Sequence, residues 1–262
     1  MAFDKIVFFD IDGTLWDTHN TIPGSTRKAL SELRKHGHGR FICSGRTTGF
    51  IRDPGLLSLG FDGIVAGCGT YLELAGKTLM LKEIPADIAE YTINTVREYG
   101  IKPILEGSEY LYMDEEEFGD DAYARKVRKD MGKNLRRISD SWGKWRISKI
   151  SLETGGCDRD SCFEKLGSYY EFIIHNDRVT ELVPKGYSKG TGLREMCTEL
   201  GMQPSSSYAF GDGMNDLSMF EAAGTGICMG SGSDEAKKHA DYVTTGLFED
   251  GVYNACVHFG LI

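Results

Sequence analysis

The residues with the most chemistry in them lie where apolar runs stop. In IVFFDIDGTLWD the run from Ile6 to Phe9 ends on Asp10, and a second acid, Asp12, follows before Gly13 and Thr14. In RFICSGR a second run ends on Ser44, Gly45 and Arg46, and in YAFGDGMND a third ends near Asp212, with Asn215 and Asp216 just beyond. Two acids so spaced can divide the work of phosphoryl transfer. One carboxylate attacks phosphorus and forms an acyl phosphate, while the other protonates the leaving alkoxide and later takes a proton from water. Asp10 fits the nucleophile and Asp12 the general acid and base. The plain alternative for DIDGT is a turn, because Asp, Gly and Thr favour turns anyway.

Four carboxylates drawn into one cleft repel. A like-charged pair at about 4 Å costs about 1 kcal/mol in water and about 4 kcal/mol at an effective dielectric near 20. A cation must offset this, and oxygen donors without His or Cys select a hard ion, Mg2+ rather than Ca2+ when few protein ligands serve. Asp10, Asp12, Asp212 and Asp216 are the candidate metal residues. Asp216 could instead support the ligand shell or cap a helix. An EF-hand loop starting at Asp10 fails, since Leu15 and Thr21 stand where Gly and an acid belong. Ser44 and Gly45 open a turn whose hydroxyl and amide could hold phosphate oxygens or merely cap a helix. Arg46 and Asn215 face the same cleft in this reading, with Asn215 reaching phosphate or ordering its turn. Lys189 precedes a helix, where its ammonium could balance the nucleophile and lower its pKa, or could simply be solvated.

Positioning these groups requires a rigid sheet. The pattern of strand (Ile6 to Phe9), helix (Thr26 to Leu33) and strand (Arg40 to Cys43) is a crossover unit, and Asp62 to Ala66 adds a further strand. Ligands of open parallel sheets bind outside the carboxyl ends of the strands, where all three polar turns fall. The pattern then shifts to a hairpin (Tyr71 to Leu74 with Thr78 to Leu81), a helix (Asp87 to Tyr99) and KWRISKISLE, which alternates like a half-buried antiparallel strand. Acids gather from Glu106 to Asp121 and bases from Arg125 to Arg137, as expected of solvated faces. After Val183 the crossover pattern returns, with Ser188 in a capping position. The expectation is an α/β protein: a Rossmann-like core from residues 1–82 and 184–262, interrupted by an inserted α+β cap at 83–183 that serves as a lid.

The 262 residues carry a net charge of -9, which argues against nucleic-acid and anionic-membrane partners, both of which need a basic face. No stretch approaches a membrane span, so a soluble, cytoplasmic protein is expected, a monomer or weak homodimer acting on a small phosphorylated metabolite. The 7 scattered cysteines suit reduced, packing thiols. GSGSDE begins like a dinucleotide loop but has Glu235 where a third Gly belongs.

Taken together, DIDGTL at Asp10, SGR at Ser44, SKGTGL at Lys189 and GDGMND at Asp212 resemble the haloacid dehalogenase superfamily. The large insertion, with ADYVT and EDGV, is similar to its Cof-like, C2B-capped branch. The resemblance implies a phosphatase acting through an aspartyl-phosphate. It implies magnesium held by the Asp10 and Asp212 carboxylates and the Asp12 carbonyl, with phosphate contacts from Ser44 and Lys189 and Asn215 nearby. It also implies that the cap chooses the leaving group, with Arg146, Lys149 and Glu181 as candidates beside the simpler reading of surface or packing. One departure is VAGCGTY, where Gly67 and Cys68 replace a common Asn-Gly pair. The alternatives are a sugar phosphomutase and a non-catalytic phospholigand sensor, although a binder has no need of Asp12.

Overall fold

The strand Ile6–Phe9 (β1) is buried along its whole length, as a continuous apolar run at the centre of a two-faced sheet requires. The computed structural model describes residues 3–262, so Met1 and Ala2 of the expected core lie outside it. Along the chain follow α1 (Gly24–Lys35), β2 (Gly39–Cys43), α2 (Pro54–Leu57), β3 (Gly63–Ala66), β4 (Tyr71–Leu74) and β5 (Lys77–Leu81). The inserted stretch contributes α3 (Ala86–Glu98), β6 (Lys102–Glu106), β7 (Leu111–Tyr112), α4 (Ala122–Met131), β8 (Leu135–Arg136), β9 (Lys149–Glu153), α5 (Arg159–Leu166), β10 (Tyr170–Ile174) and β11 (Val179–Pro184). The chain then returns through α6 (Lys189–Glu199), β12 (Ser207–Gly211), α7 (Leu217–Ala222), β13 (Thr225–Cys228), α8 (Asp234–His239), β14 (Tyr242–Val243) and α9 (Gly251–His258).

Two units result. The core unit comprises the chain up to Gly45, Arg52–Met80 and the chain from Ser188 onward; the second comprises Arg46–Ile51 and Leu81–Tyr187. In the core the sheet order is β14-β13-β12-β1-β2-β3-β4-β5. Strands β14 to β3 run parallel, and β4 turns back antiparallel on β3. Phe8, Phe41, Val65, Leu193, Met196 and Ala209 fill one core cluster between this sheet and its helices. The β4-β5 turn holds Ala75 and Gly76 at φ of 51° and 76°.

The second unit is a mostly antiparallel sheet, ordered β10-β11-β9-β6-β7-β8. Ile93, Val96, Leu105, Ile150, Leu152 and Leu182 form its main core. KWRISKISLE departs from expectation, because only Lys149–Glu153 is strand. The preceding residues use their polar groups elsewhere: the Ile147 carbonyl accepts the Ile84 amide at 2.7 Å, and the Trp145 indole donates to the Ile138 carbonyl at 3.1 Å. The strand is also buried on both faces rather than one, since Lys149 and Ser151 are 2% and 5% exposed. The acidic and basic blocks pair with each other at the surface, Arg128 with Glu115 and Arg137 with Glu116. Phe50, from the short segment Arg46–Ile51, packs against the cluster of Ile104, Leu111, Met113 and Phe118.

All seven cysteines are free thiols, six of them buried. Among the described residues no helix is long and apolar enough to cross a membrane.

Candidate active site

The core sheet delivers three of the polar turns side by side. Asp10 extends β1, and its amide continues the ladder to the Phe210 carbonyl of β12 at 2.8 Å. Ser44 extends the neighbouring β2, buried, with its amide on the Val65 carbonyl at 2.9 Å. Asp212 follows β12. Gly13 sits at φ +82°, and a Cβ there would stand 2.3 Å from Asp212 Oδ2, so the turn after Asp12 closes on the Asp212 turn only because it has no side chain.

Lys189 enters from the other half of the chain. Ser188 caps α6 through a reciprocal capping box with Thr191, which starts the helix at Lys189. Gly190 lets that first turn press against α7, since a Cβ would meet the Ser218 carbonyl at 2.1 Å. The Lys189 ammonium is wholly buried and donates to Asp10 Oδ1 at 2.5 Å and to Asp216 Oδ1 at 2.6 Å. Solvation, the plain alternative for this lysine, is excluded. Asp216 spends its other oxygen on the amides of Asp212 and Gly213, each at 2.9 Å. It therefore ties the turn and the ammonium together, and its bond to the Gly213 amide is the helix-capping contact expected as one of its alternatives. Asn215 stands half-buried in the same turn.

The charge balance is strongly negative, with one ammonium among Asp10, Asp12, Asp212 and Asp216. Burial pushes the Asp10 carboxyl above the usual carboxylate range; Lys189 pulls it back, while Asp216 and Asp12 push it further up. The expected net lowering by Lys189 does not occur, because burial and the neighbouring acids outweigh the ammonium. Asp212 is pushed up as well, first by burial and then by Asp10 and Asp216. Burial opposes the charge on Lys189, but the pull of Asp10 and Asp216 prevails and raises its pKa well above normal. Asp10, Asp212 and Asp216 each offer a carboxylate oxygen within 4.8 Å of the others. An all-oxygen set with excess negative charge fits a hard divalent cation.

Arg46 falls in the second unit. Its guanidinium lies over the Phe50 ring at 4.5 Å and donates to the Phe50 carbonyl at 3.5 Å, both inside the second unit. Ser44 and Gly45 remain in the core unit. Cys68, at the departure from the family pattern, is buried with φ of 54°, a left-handed backbone that Asn or Gly adopts more readily. Its amide donates to the Ser44 carbonyl at 3.1 Å, so the residue at this departure braces the Ser44 turn.

Two features escaped the sequence reading. Trp16 donates its indole N–H to Asp12 Oδ1 at 3.0 Å; the four-residue spacing inside a turn motif was the available signal. In the second unit, Lys149 bridges Glu181 at 2.6 Å and Glu106 at 3.2 Å, with Ser151 donating to Glu106 and His175 3.5 Å from Glu181. Burial alone would raise the Glu181 pKa, but Lys149 and His175 hold it well below the glutamate range. Arg146, the third cap candidate, is exposed and pairs with Glu83. A cavity of about 280 Å3 in this unit is lined by Ile104, Ser151, Val179 and Arg178, but Arg178 is already held by Asp121 and Glu153.

A parallel α/β core with carboxylates at adjacent strand ends and a buried lysine between them defines the class. Residues 7–256 match the haloacid dehalogenase-like hydrolase family, and the chain belongs to it. It is 30% identical to the candidate phosphatase YkrA of Bacillus subtilis (strain 168), over 98% of each chain. It is 29% identical to a phosphoglycolate phosphatase of Methanoculleus marisnigri, over 96% of this chain and 94% of that one. Among solved structures, a sugar phosphatase of subclass IIB superposes with a TM-score of 0.85 at 25% identity, covering 98% of this chain and 100% of that one. That likeness supports the C2B-capped placement.

Proposed function

We propose that the protein is a magnesium-dependent phosphatase that hydrolyses small phosphomonoesters, sugar phosphates foremost, through an aspartyl-phosphate on Asp10. The observation that carries this reading is the Lys189 ammonium clamped between Asp10 and Asp216, with the Asp212 carboxylate beside them. Similarity to proteins named as phosphatases supports it.

The steps follow from the side chains. Asp10 Oδ attacks phosphorus, the ester P–O bond breaks, and its electron pair goes to the ester oxygen, which takes a proton from Asp12. Water then attacks the acyl phosphate, giving its proton to Asp12, and the P–O bond to Asp10 breaks to release phosphate and restore the carboxylate. Lys189 holds Asp10 in line throughout, and its charge offsets that of the incoming phosphate. Ser44 and the Gly45 amide, at the end of the neighbouring strand, receive phosphate oxygens in this reading. Asp10 and Asp212 would hold the Mg2+, with Asp216 behind them, and the ion would supply the positive charge that the cluster lacks and neutralise phosphate oxygens.

The test is phosphate release from sugar phosphates, a phosphocarboxylate and an aryl phosphate, with Mg2+ or chelator, by wild type and Asp10→Asn. Release that needs both Mg2+ and Asp10 is expected. A positional isomer in place of free phosphate would make the protein a mutase, and tight binding without turnover would make it a sensor.

A further inference from the structure

We propose that Trp16 is a positioning residue for proton transfer by Asp12, an inference that rests on the phosphatase reading above. Asp12 is exposed, and an exposed carboxylate ordinarily samples several rotamers. Here its Oδ1 accepts the Trp16 indole N–H at 3.0 Å. The donor is fixed: Trp16 is 1% exposed, and Ile11 and Leu15 beside it are fully buried. The backbone brings the two residues together, since the Leu15 and Trp16 amides both donate to the Ile11 carbonyl, at 2.9 and 3.1 Å, and the Gly13 amide donates to the Trp16 carbonyl at 2.8 Å. Residues 12 and 16 thus lie side by side as an isolated bridge.

The chemistry of the donor matters. An indole N–H donates only, so it can neither accept the acid's proton nor turn to become a base. A hydroxyl, or an amide turned to present its oxygen, could accept a hydrogen bond from the protonated acid instead. A proton on Oδ1 would collide with the indole hydrogen, so the transferable proton sits on Oδ2. As the P–O bond breaks and its electron pair moves to the ester oxygen, the proton passes from Oδ2 to that oxygen. Trp16 sets the direction from which it arrives.

An aliphatic alcohol leaves poorly as its anion and needs this proton, whereas p-nitrophenolate leaves without it. The experiment replaces Trp16 site-specifically with benzothienylalanine, which keeps the ring shape and puts sulfur in place of N–H; Trp16→Phe is the second variant. Phosphorylation of Asp10 is timed in single turnover with an aliphatic phosphate and with p-nitrophenyl phosphate. The aliphatic-to-aryl rate ratio is expected to fall about 10-fold with KM held, the size of one lost hydrogen bond whose acceptor becomes charged as the proton leaves. An unchanged ratio, whether both rates fall together or neither falls, overturns the proposal and leaves Trp16 a packing residue. If wild type phosphorylates Asp10 from neither ester, the phosphatase reading itself fails and takes this inference with it, a result that the wild-type control alone reveals.

Discussion

The molecule buries two lysines among acids, and the two clusters are poised in opposite senses. In the core, Lys189 is shared by Asp10 and Asp216 while Asp12 and Asp212 add further charge, so the carboxyls of Asp10 and Asp212 are driven upward. In the second unit, Lys149 and His175 surround Glu181, whose carboxyl is driven downward, and Ser151 serves Glu106. Burial opposes ionisation in both places. What differs is the ratio of positive to negative groups. A cluster short of positive charge suits the cation and anionic substrate proposed for it, whereas a cluster with enough of it is expected to act as a structural joint.

The largest expected effect tests the first half of that contrast. Asp10→Asn should lower turnover by roughly 10^4-fold or more, the scale of losing a nucleophile, yet raise the melting temperature in chelator because one buried repelling charge is gone. A drop in melting temperature would mean that the core cluster is a joint after all. Lys149→Met should act in reverse, destabilising the fold by about 3 to 5 kcal/mol by taking the ammonium from the buried Glu106 and the half-buried Glu181. If denaturant unfolding barely shifts while turnover collapses, the second cluster is a binding site and the contrast breaks.

Acidity separates the clusters further. A carboxyl whose folded pKa is raised holds its proton more tightly when folded, so its contribution to stability falls as pH climbs from the ordinary value toward the raised one. Mg2+ bound as proposed would compete with those protons on Asp10 and Asp212, so the gain in melting temperature on adding Mg2+ should be larger at pH 8 than at pH 6. Glu181 behaves oppositely. Its depressed pKa contributes stability that is present above the ordinary glutamate value of about 4.3 and is lost as pH falls below it. Glu181→Gln should therefore flatten the acid limb of the melting curve measured against pH. The smallest effect is a calibration remote from either charge cluster. Ala75 is exposed with φ of 51° ahead of Gly76, a turn that prefers Asn-Gly. Ala75→Asn should stabilise the core by about 0.5 kcal/mol and leave turnover unchanged.

What could be read in advance follows from where information is local. Asp10, Ser44 and Asp212 were legible because a buried parallel strand must be continuously apolar, so the first polar residue marks its end. Lys189 was legible through Ser188, whose cap fixes the helix start. Lys149 and Glu181 were named as cap candidates, but their cluster with Glu106 and Ser151 was not legible, because alternation predicts which side a residue faces but not that a second layer covers that side. Partners brought together only by strand register, as Glu106 and Lys149 are, leave no trace in the spacing of either. Trp16 was hidden for a smaller reason: its bond to Asp12 depends on a turn tight enough to return the chain within four residues.

The segment Arg46–Ile51 carries a consequence for how such proteins change over time. It is six residues long, yet Phe50 fills the apolar cluster under α4, Thr48 donates to the Ser108 carbonyl at 3.2 Å, and a Cβ on Gly49 would strike the Gly107 carbonyl at 2.5 Å. The second unit is therefore not one uninterrupted cassette. Recombination that imported a foreign insertion at residues 81–187 alone would arrive without its keystone, and would meet a Phe50 shaped for the sheet it had replaced. The insertion is then expected to change by substitution rather than wholesale exchange, with residues 46–51 and 104–131 changing in concert.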